Sequence, residues 1–557
     1  MGTRKQQVIR FRPRGVSDTI NGDNSPSGAM ASLQNLIQDP ATPNCFICRP
    51  ANTSLFNFNS PAIWGKFLWG EANWGPAMGS SIGVVTVAAE VGNVIYGLVG
   101  VLTGAFAGKD VPFAFNTATE AFVPVSGVTV ANCPTSQATS GAWVPPQMTL
   151  TGVDFIVTHV GFPGGVGAYF GWFDVTTPTA PAWHAGNTTT NALPSVPQGA
   201  GTFNNRTYFL CGNLAYYTDT LELNMTNSNQ SLSVGDYTSV TCVAPLPVGT
   251  TSEGIIQGLI LFKLNTTHLL TGDVTANTSG IGQPLTLNQL SSSVGTGAPR
   301  SAVSTPEGVR FMASDGARVI NFFGSMSEPD GDLAVPFINA VVPSRVAAAY
   351  NTNTYRICVQ NGDAVGSPYQ DYWYNLLRRS WTGPHTFQYD LAVALGNQFI
   401  LASNILPGQL WNSFVVQDYA GLGNTFVENG VQLSWTYETC PMTDLENIYA
   451  NCSDRATIDL AVPAEGETYN FVAQNESATA LGTGSIAATT GAAVWGSFVW
   501  DAADWGPSAT GLTARTIPWN DTIVFNRLSV LGSGISSLGF KIGSLHLAYK
   551  RLNYFLN

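Results

Sequence analysis

Between residues 82 and 412 apolar and polar positions alternate in short runs, and the runs break at pairs of turn residues. Val84 to Glu90 meets Gly92-Asn93 and resumes as Val94 to Leu98. Phe203 to Leu210 meets Gly212-Asn213 before Leu214 to Tyr217. Val309 to Ala313 meets Asp315-Gly316 before Arg318 to Phe323, and Leu391 to Leu395 meets Gly396-Asn397 before Gln398 to Ala402. A period of two places one face of an extended strand inside, and Gly-Asn or Asp-Gly pairs fold such strands back as hairpins. Other runs end at an acidic or Asn turn followed by an aromatic, as in Val111 to Asn116, Tyr169 to Asp174 and Asp371 to Trp381. The unit of strand, tight turn, strand, longer loop, strand and aromatic recurs about six times without helical periodicity, which predicts a β-propeller. A series of stacked β-sandwiches competes with it.

After about residue 415 the alternating runs become fewer and longer: Gln432 to Tyr437, Ala456 to Val462, Thr468 to Ala473, Thr522 to Val530 and Phe540 to Tyr549. That texture predicts a sandwich. Before residue 60 the pattern is irregular. Ser25-Pro26-Ser27 predicts the start of a short helix through Ala29 to Gln38, with Leu33 and Ile37 on one face and its end near Asp39-Pro40. The expected fold class is therefore all-β. Residues 1–80 form an N-terminal arm and platform segment, 81–415 a propeller, and 416–557 a C-terminal β-sandwich or platform segment.

A duplicated motif joins the two ends. Ala62 to Pro76 (AIWGKFLWGEANWGP) recurs as Ala493 to Pro507 (AVWGSFVWDAADWGP), identical at 9 of 15 positions. Trp64, Trp69 and Trp74 in one copy, and Trp495, Trp500 and Trp505 in the other, keep a five-residue step that fits neither one helix face nor one strand face. The flanking Gly and Pro residues predict short extended pieces broken by turns. Two equivalent segments so far apart imply one platform domain built from both ends, with the six indoles packed inside it. As an alternative, evenly stepped exposed tryptophans stack on sugar rings.

Composition narrows the function. Of 557 residues 44% are hydrophobic and only 10% charged, against about 25% in an average chain. So few charges suit a surface covered by partner subunits. The net charge of −12 argues against general nucleic-acid binding and suits a conduit along which DNA slides without sticking. The first residues are the exception: Arg4, Lys5, Arg10, Arg12 and Arg14 precede any acid, as expected of an arm that docks on an acidic neighbour. No signal peptide is evident. The apolar run from Ile82 to Ala107 carries Glu90 and Asn93, which makes it a poor membrane span. Eight scattered cysteines do not form a disulfide framework, so reduced thiols and cytoplasmic assembly are expected.

No constellation in the sequence spells an active site, so the expectation is a chain that is not an enzyme and has no cofactor and no metal. The histidines His159, His184, His268, His385 and His546 lack ligand-spaced partners, and Cys45 and Cys48 have no second pair. Gly79 to Gly83 matches a nucleophile-elbow pattern outside the strand-to-helix context it needs. Glu328, Asp330 and Asp332 read as an acidic turn.

Several segments resemble a known family. The opening Arg10-Phe-Arg-Pro-Arg-Gly-Val-Ser, Asn21-Gly-Asp-Asn-Ser-Pro, Leu33-Gln-Asn-Leu-Ile and Arg49-Pro50 is similar to that of the podovirus tail nozzle, or tail tubular, proteins. Phe203 to Asp219 and Asp371 to Trp381 resemble their propeller blades, and Leu433 to Tyr549 resembles their closing β-domain. The resemblance implies a propeller flanked by platform segments, assembled as a homo-hexamer below the portal and adaptor ring. It implies a virion protein that lines a DNA exit channel and serves as a base for tail fibres or spikes. The paired Trp motifs and scarcity of charge depart from the family's pattern. The alternatives are a carbohydrate-binding or depolymerising phage tail protein, and a minor head or decoration protein.

Overall fold

The computed structural model describes residues 7–12, 14–17, 29–42, 44–58, 82–101, 105–137, 144–152, 154–165, 167–251, 254–274, 284–330, 332–360, 369–402, 408–414, 426–443, 450–461, 467–487, 512–536 and 540–552. The chain is all-β: a β-propeller joined to a β-rich platform built from both N- and C-terminal segments.

Among the described residues seven antiparallel blades follow one another along the propeller, six as separate small sheets and one as the start of a larger sheet. Blade one holds Ile82–Val91, Val94–Val101, Lys109–Asn116 and Ala121–Val123, and blade two holds Gln147–Thr151, Asp154–Thr158, Phe170–Asp174 and Ala182–Gly186. Blade three is Gly199–Phe203, Arg206–Cys211, Leu214–Tyr217 and Ser231–Ser233, and blade four is Val240–Thr251, Gly254–Lys263, Thr267–Thr271 and Thr286–Ser291. Blade five has three strands, Val303–Thr305, Gly308–Ala313 and Gly316–Ile320. Blade six is Ala347–Asn351, Thr354–Gln360, Tyr369–Asn375 and Ser380–His385. Blade seven takes Leu391–Leu395, Gln398–Ala402 and Gln409–Phe414, and its fourth strand is Thr53–Asn57. The first strand of each blade touches the first strand of the next, and that of blade seven touches that of blade one, so the ring is closed.

Local sequence explains the hairpins. Gly92, Gly212 and Gly396 open their turns with φ of +64°, +63° and +55°, a backbone region that glycine enters without steric cost. Asn204-Asn205 (φ +49°, +57°) and Thr352-Asn353 (φ +42°, +62°) make two more two-residue turns in the left-handed region. Packing between blades is apolar. Ile95 and Phe113 meet Leu391 and Leu410, Tyr96 meets Phe155 and Phe173, and Ile156 and Phe170 meet Phe209. Tyr208 and Leu210 meet Leu259 and Leu261, Phe262 meets Phe311, and Cys358 and Tyr369 meet Phe399 and Trp411.

The platform is a sandwich of two sheets. One runs Leu36–Gln38, Phe46–Cys48, Lys541–Arg551, Asn451–Ala461 and Thr513–Phe525, with Gln7–Phe11 added against Lys541–Arg551. The other is not a separate sheet: blade six continues from Ser380–His385 through Gly15–Val16, Ala29–Gln34, Ser434–Thr439, Arg527–Ile535 and Thr468–Gln474 to Ala480–Ala487, eleven strands in all with Met442–Thr443. Trp435, Tyr469 and Phe540 stack at its centre, with ring centroids 4.6–5.8 Å apart.

Three sequence expectations are corrected. Ala29–Gln38 is not a helix but two strands turning at Asn35 (φ +54°), because Leu33 and Leu36 bury into the sandwich and their backbone groups pair with both neighbouring strands. Thr53–Asn57, assigned to the platform segment, completes blade seven instead, where Phe56 packs among Phe58, Phe113, Phe115 and Phe122. The run Thr522 to Val530 is two strands, Thr513–Phe525 and Arg527–Ile535, that belong to opposite sheets. Both Trp motifs, with Trp64, Trp69, Trp74, Trp495, Trp500 and Trp505, lie outside the described residues.

Candidate functional site

Where propeller and platform meet, a cleft of about 410 Å³ opens between the Gly15–Val16 strand, the Gln38–Cys45 bend and the tip of the blade-six hairpin. Arg14, Arg378 and Arg379 line it together with Asp39, Asp332 and Gln38. Asp39 is bound to Lys541 Nζ at 2.7 Å. Its burial favours the neutral form, but the hydrogen bond from Lys541 and that from the Ala41 amide outweigh it and hold the carboxyl below its ordinary value. Gln38 donates to the Arg14 carbonyl at 2.8 Å and to Ser380 Oγ, while its Oε1 is buried with no partner. In a chain of net charge −12 this is a place of local positive excess.

A buried lock joins the two parts where Arg49 Nη2 donates to Thr386 Oγ1, next to blade six, at 3.2 Å. Arg49 is fully buried and donates from Nη1 and Nη2 to both carboxylate oxygens of Glu428 at 3.0 Å each, and from Nε to Asn35 Oδ1 at 2.8 Å. Glu428 also accepts from the Asn52 amide at 3.0 Å. The Asn35 amide donates to His385 Nδ1 at 3.1 Å. Burial pushes His385 well below its ordinary pKa, and the neighbouring Arg49 and Arg356 charges push the same way. This arrangement is a clamp whose groups are saturated by one another. The same holds for the blade-six ion pair, where Arg356 meets Asp371 at 2.7 Å with both side chains fully buried and Trp373 and Tyr389 donating to the carboxylate.

Blade two offers different chemistry. Asp154 and Asp174 sit directly opposite on adjacent strands, where Cβ atoms lie about 4.5–5.5 Å apart. Burial, then the nearby Asp174 charge, raises the pKa of Asp154, whereas hydrogen bonds from Thr176 Oγ1 (2.6 Å) and its amide (2.9 Å) lower that of Asp174. Beside them Trp172 stacks on His184 with centroids 5.3 Å apart. One carboxyl biased towards its proton and one held ionised is the division of labour that acid–base chemistry on a glycosidic bond uses.

The other residues singled out in the sequence are dispersed. His159 is buried and bonded to Asp110 Oδ2 at 2.8 Å across the junction of blades one and two. His268 is buried in blade four, and His546 lies 3.9 Å from Asp459 in the platform. Cys45 and Cys48 are buried free thiols, and burial raises Cys45 to about 11. Asp330 accepts from Trp381 Nε1 at 2.9 Å and lies 3.8 Å from Arg310, so it serves the fold. Of the basic arm, Arg4 and Lys5 lie outside the described residues. Arg10 belongs to a strand paired with Lys541–Arg551, and Arg12 follows it, so this stretch is a sheet edge rather than a free arm. The Asp154–Asp174 pair went unnoticed in sequence because neither residue belongs to a spaced motif; only the cross-strand register joins them.

No family model matches the chain, and no curated protein matches it. Several solved structures do. A glycoside hydrolase family 43 arabinoxylan arabinofuranohydrolase from Bacillus subtilis is 9% identical, over 84% of this chain and 96% of that one, with a TM-score of 0.19. Polysaccharide lyase Uly1 is 11% identical, over 70% and 93%, with a TM-score of 0.27. The Bacteroides ovatus xyloglucan PUL GH43B is 8% identical, over 85% and 98%, also at 0.27. The expectation that the chain is not an enzyme is therefore withdrawn, since the solved structures it is similar to are themselves enzymes. At these TM-scores the likeness assigns no activity to this chain.

Proposed function

We propose that this chain is a structural subunit of a short-tailed phage tail, of the nozzle or hub type. Copies form a homo-oligomeric ring, with a hexamer as the expected number, beneath the adaptor and portal. DNA passes along an acidic lumen without specific binding, and propeller loops present docking ground for fibres or spikes. The observation that carries this reading is the eleven-stranded sheet running from blade six through the platform. With the bonds from Arg49 to Thr386 and from the Asn35 amide to His385 it makes propeller and platform one stiff body, as a channel wall under load requires. Native mass spectrometry and electron microscopy of the purified chain test it. A closed ring with an axial channel is expected, and a chain that stays monomeric at all concentrations sinks the reading.

A second reading, a carbohydrate-binding or depolymerising tail protein, is favoured by one observation: the Asp154–Asp174 pair beside the Trp172–His184 stack. It expects binding to glycans that Trp172→Ala abolishes, and release of reducing ends that Asp174→Asn or Asp154→Asn reduces at least about 100-fold. Absence of both binding and cleavage across a broad glycan panel eliminates it.

A further inference from the structure

Two loops on opposite flanks of the propeller carry surfaces of opposite sign. In blade six the connection from the third strand to the fourth is Leu376 to Arg379; in blade three it is Thr218 to Gln230. Strands alternate in direction across every blade, so corresponding connections emerge on the same face of the ring. Two blades separate three from six one way round and three the other, which places the loops on nearly opposite sides of that face. Each loop lifts a leucine into solvent: Leu377 is 74% exposed and Leu221 58%. Around Leu377 stand the exposed Arg378 and Arg379, with Arg14 across the seam cleft. Around Leu221 stand Glu222, exposed, and Asp219, whose carboxylate is held in place by Thr226 Oγ1 at 3.2 Å and Gln230 Nε2 at 3.0 Å.

We propose that these loops are the two halves of one contact between copies of this chain, the Leu377-Arg378-Arg379 tip of one copy docking against Asp219, Leu221 and Glu222 of the next. The inference rests on the ring-forming reading above and gives it an interface. A contact between two different patches propagates head to tail, and it closes into a ring where the rotation it sets allows. Both patches lie on one face and on opposite flanks, as successive members of a ring require. The apolar leucines supply the dry centre, and the charges around them set register and suppress wrong pairings. Among the described residues the Arg378 guanidinium makes a single long bond, 3.4 Å to the Pro40 carbonyl, and its amide donates to Asn375 Oδ1, so the charged group remains exposed at the tip.

The test uses the full chain and follows assembly by sedimentation velocity and native mass spectrometry. Arg378→Glu with Arg379→Glu, and separately Thr220→Arg with Glu222→Arg, are each expected to raise the apparent dissociation constant of the ring about tenfold or more. The four changes together restore opposite charges and are expected to return it to within about threefold of the parent. Circular dichroism and the unfolding midpoint verify that each variant is folded, and Leu377→Ser probes the apolar centre without altering charge. If the parent forms a ring whose affinity neither reversal changes, or if the combined variant is no tighter than the single reversals, this contact is overturned while the ring reading stands. A parent that forms no ring overturns both.

Discussion

Propeller and platform are both antiparallel β, yet they are assembled from the chain in opposite ways. In the propeller most strands pair with the next one along the chain, and most junctions between blades bury their own small apolar clusters. In the platform Gln7 pairs with Tyr549, and Asp39 meets Lys541 across 502 residues of sequence. There a single core runs without interruption from Phe11 through Trp381 to Tyr549, and it also takes in the junction of blades five and six. Local pairing spreads stability over many small units, whereas non-local pairing concentrates it in one. The second kind closes long loops before its contacts repay them, so it forms late.

That contrast can be broken by substitution. Phe209→Ala at the junction of blades two and three and Trp435→Ala in the platform should each cost about 3–5 kcal/mol in denaturant unfolding. Their footprints should differ. Native-state hydrogen exchange should rise only in blades two and three for Phe209→Ala, and across every platform strand and blade six for Trp435→Ala. Equal, global footprints would erase the distinction.

A slightly smaller effect separates the two buried ion pairs. Asp371→Leu strands Arg356 inside blade six, where neither side chain has any exposure, and should cost about 3–5 kcal/mol. Arg49→Met strands Glu428, whose side chain is 10% exposed and turns towards water more readily, so about 2–3 kcal/mol is expected. Limited proteolysis of the Arg49 variant should cut between propeller and platform, while the Asp371 variant should be cut within blade six.

The seam should also respond to acid. The folded-state pKa of His385 lies well below its ordinary 6.5, so below about pH 6.5 the unfolded chain binds a proton that the folded chain refuses. Stability is therefore complete above that pH and falls as pH drops through the window, by on the order of 1 kcal/mol per unit. Burial depresses His268 in blade four in the same direction. His385→Gln should accordingly shrink the loss of unfolding midpoint between about pH 7.5 and pH 5.5 without abolishing it. An unchanged slope would remove the histidine from this role.

The smallest effect is chemical. Burial raises Cys45 and Cys211 to about 11 and Cys133 and Cys242 to about 12, whereas Cys452 is only half-buried. A thiol reagent at mildly alkaline pH should label Cys452 first and the blade cysteines only on unfolding.

What the sequence made readable follows the same division. The hairpins at Gly92, Gly212 and Gly396 were visible because a positive φ leaves a chemical trace at the turn itself. Sandwich texture after residue 415 was visible as alternation, although the sheet to which each strand belongs was not. Ala29–Gln38 was misread because Leu33 and Ile37 mimic a helical spacing, and only partners near residues 438 and 47 make it strand. Thr53–Asn57 was assigned to the wrong part because its partner, Gln409–Phe414, lies some 350 residues on. Arg356 and Asp371 illustrate the limit at the level of a site. Their residue types and a separation of 15 carry no motif, and only cross-strand register brings the charges together.

The strand that closes blade seven bears on how the chain is made. Thr53–Asn57 leaves the ribosome before any of the blades it will join, and its partner Gln409–Phe414 emerges after nearly all of them. Until then the growing propeller is an open arc with a bare sheet edge at one end. The platform cannot be completed before Lys541–Arg551 has been synthesised, since that strand lies between Asn451–Ala461 on one side and Gln7–Phe11 and Phe46–Cys48 on the other. A chain interrupted before Lys541–Arg551 thus leaves the strands that flank it without their partner. The topology carries its own check on synthesis: the two-sheet platform is finished only once its central strand, Lys541–Arg551, has been made.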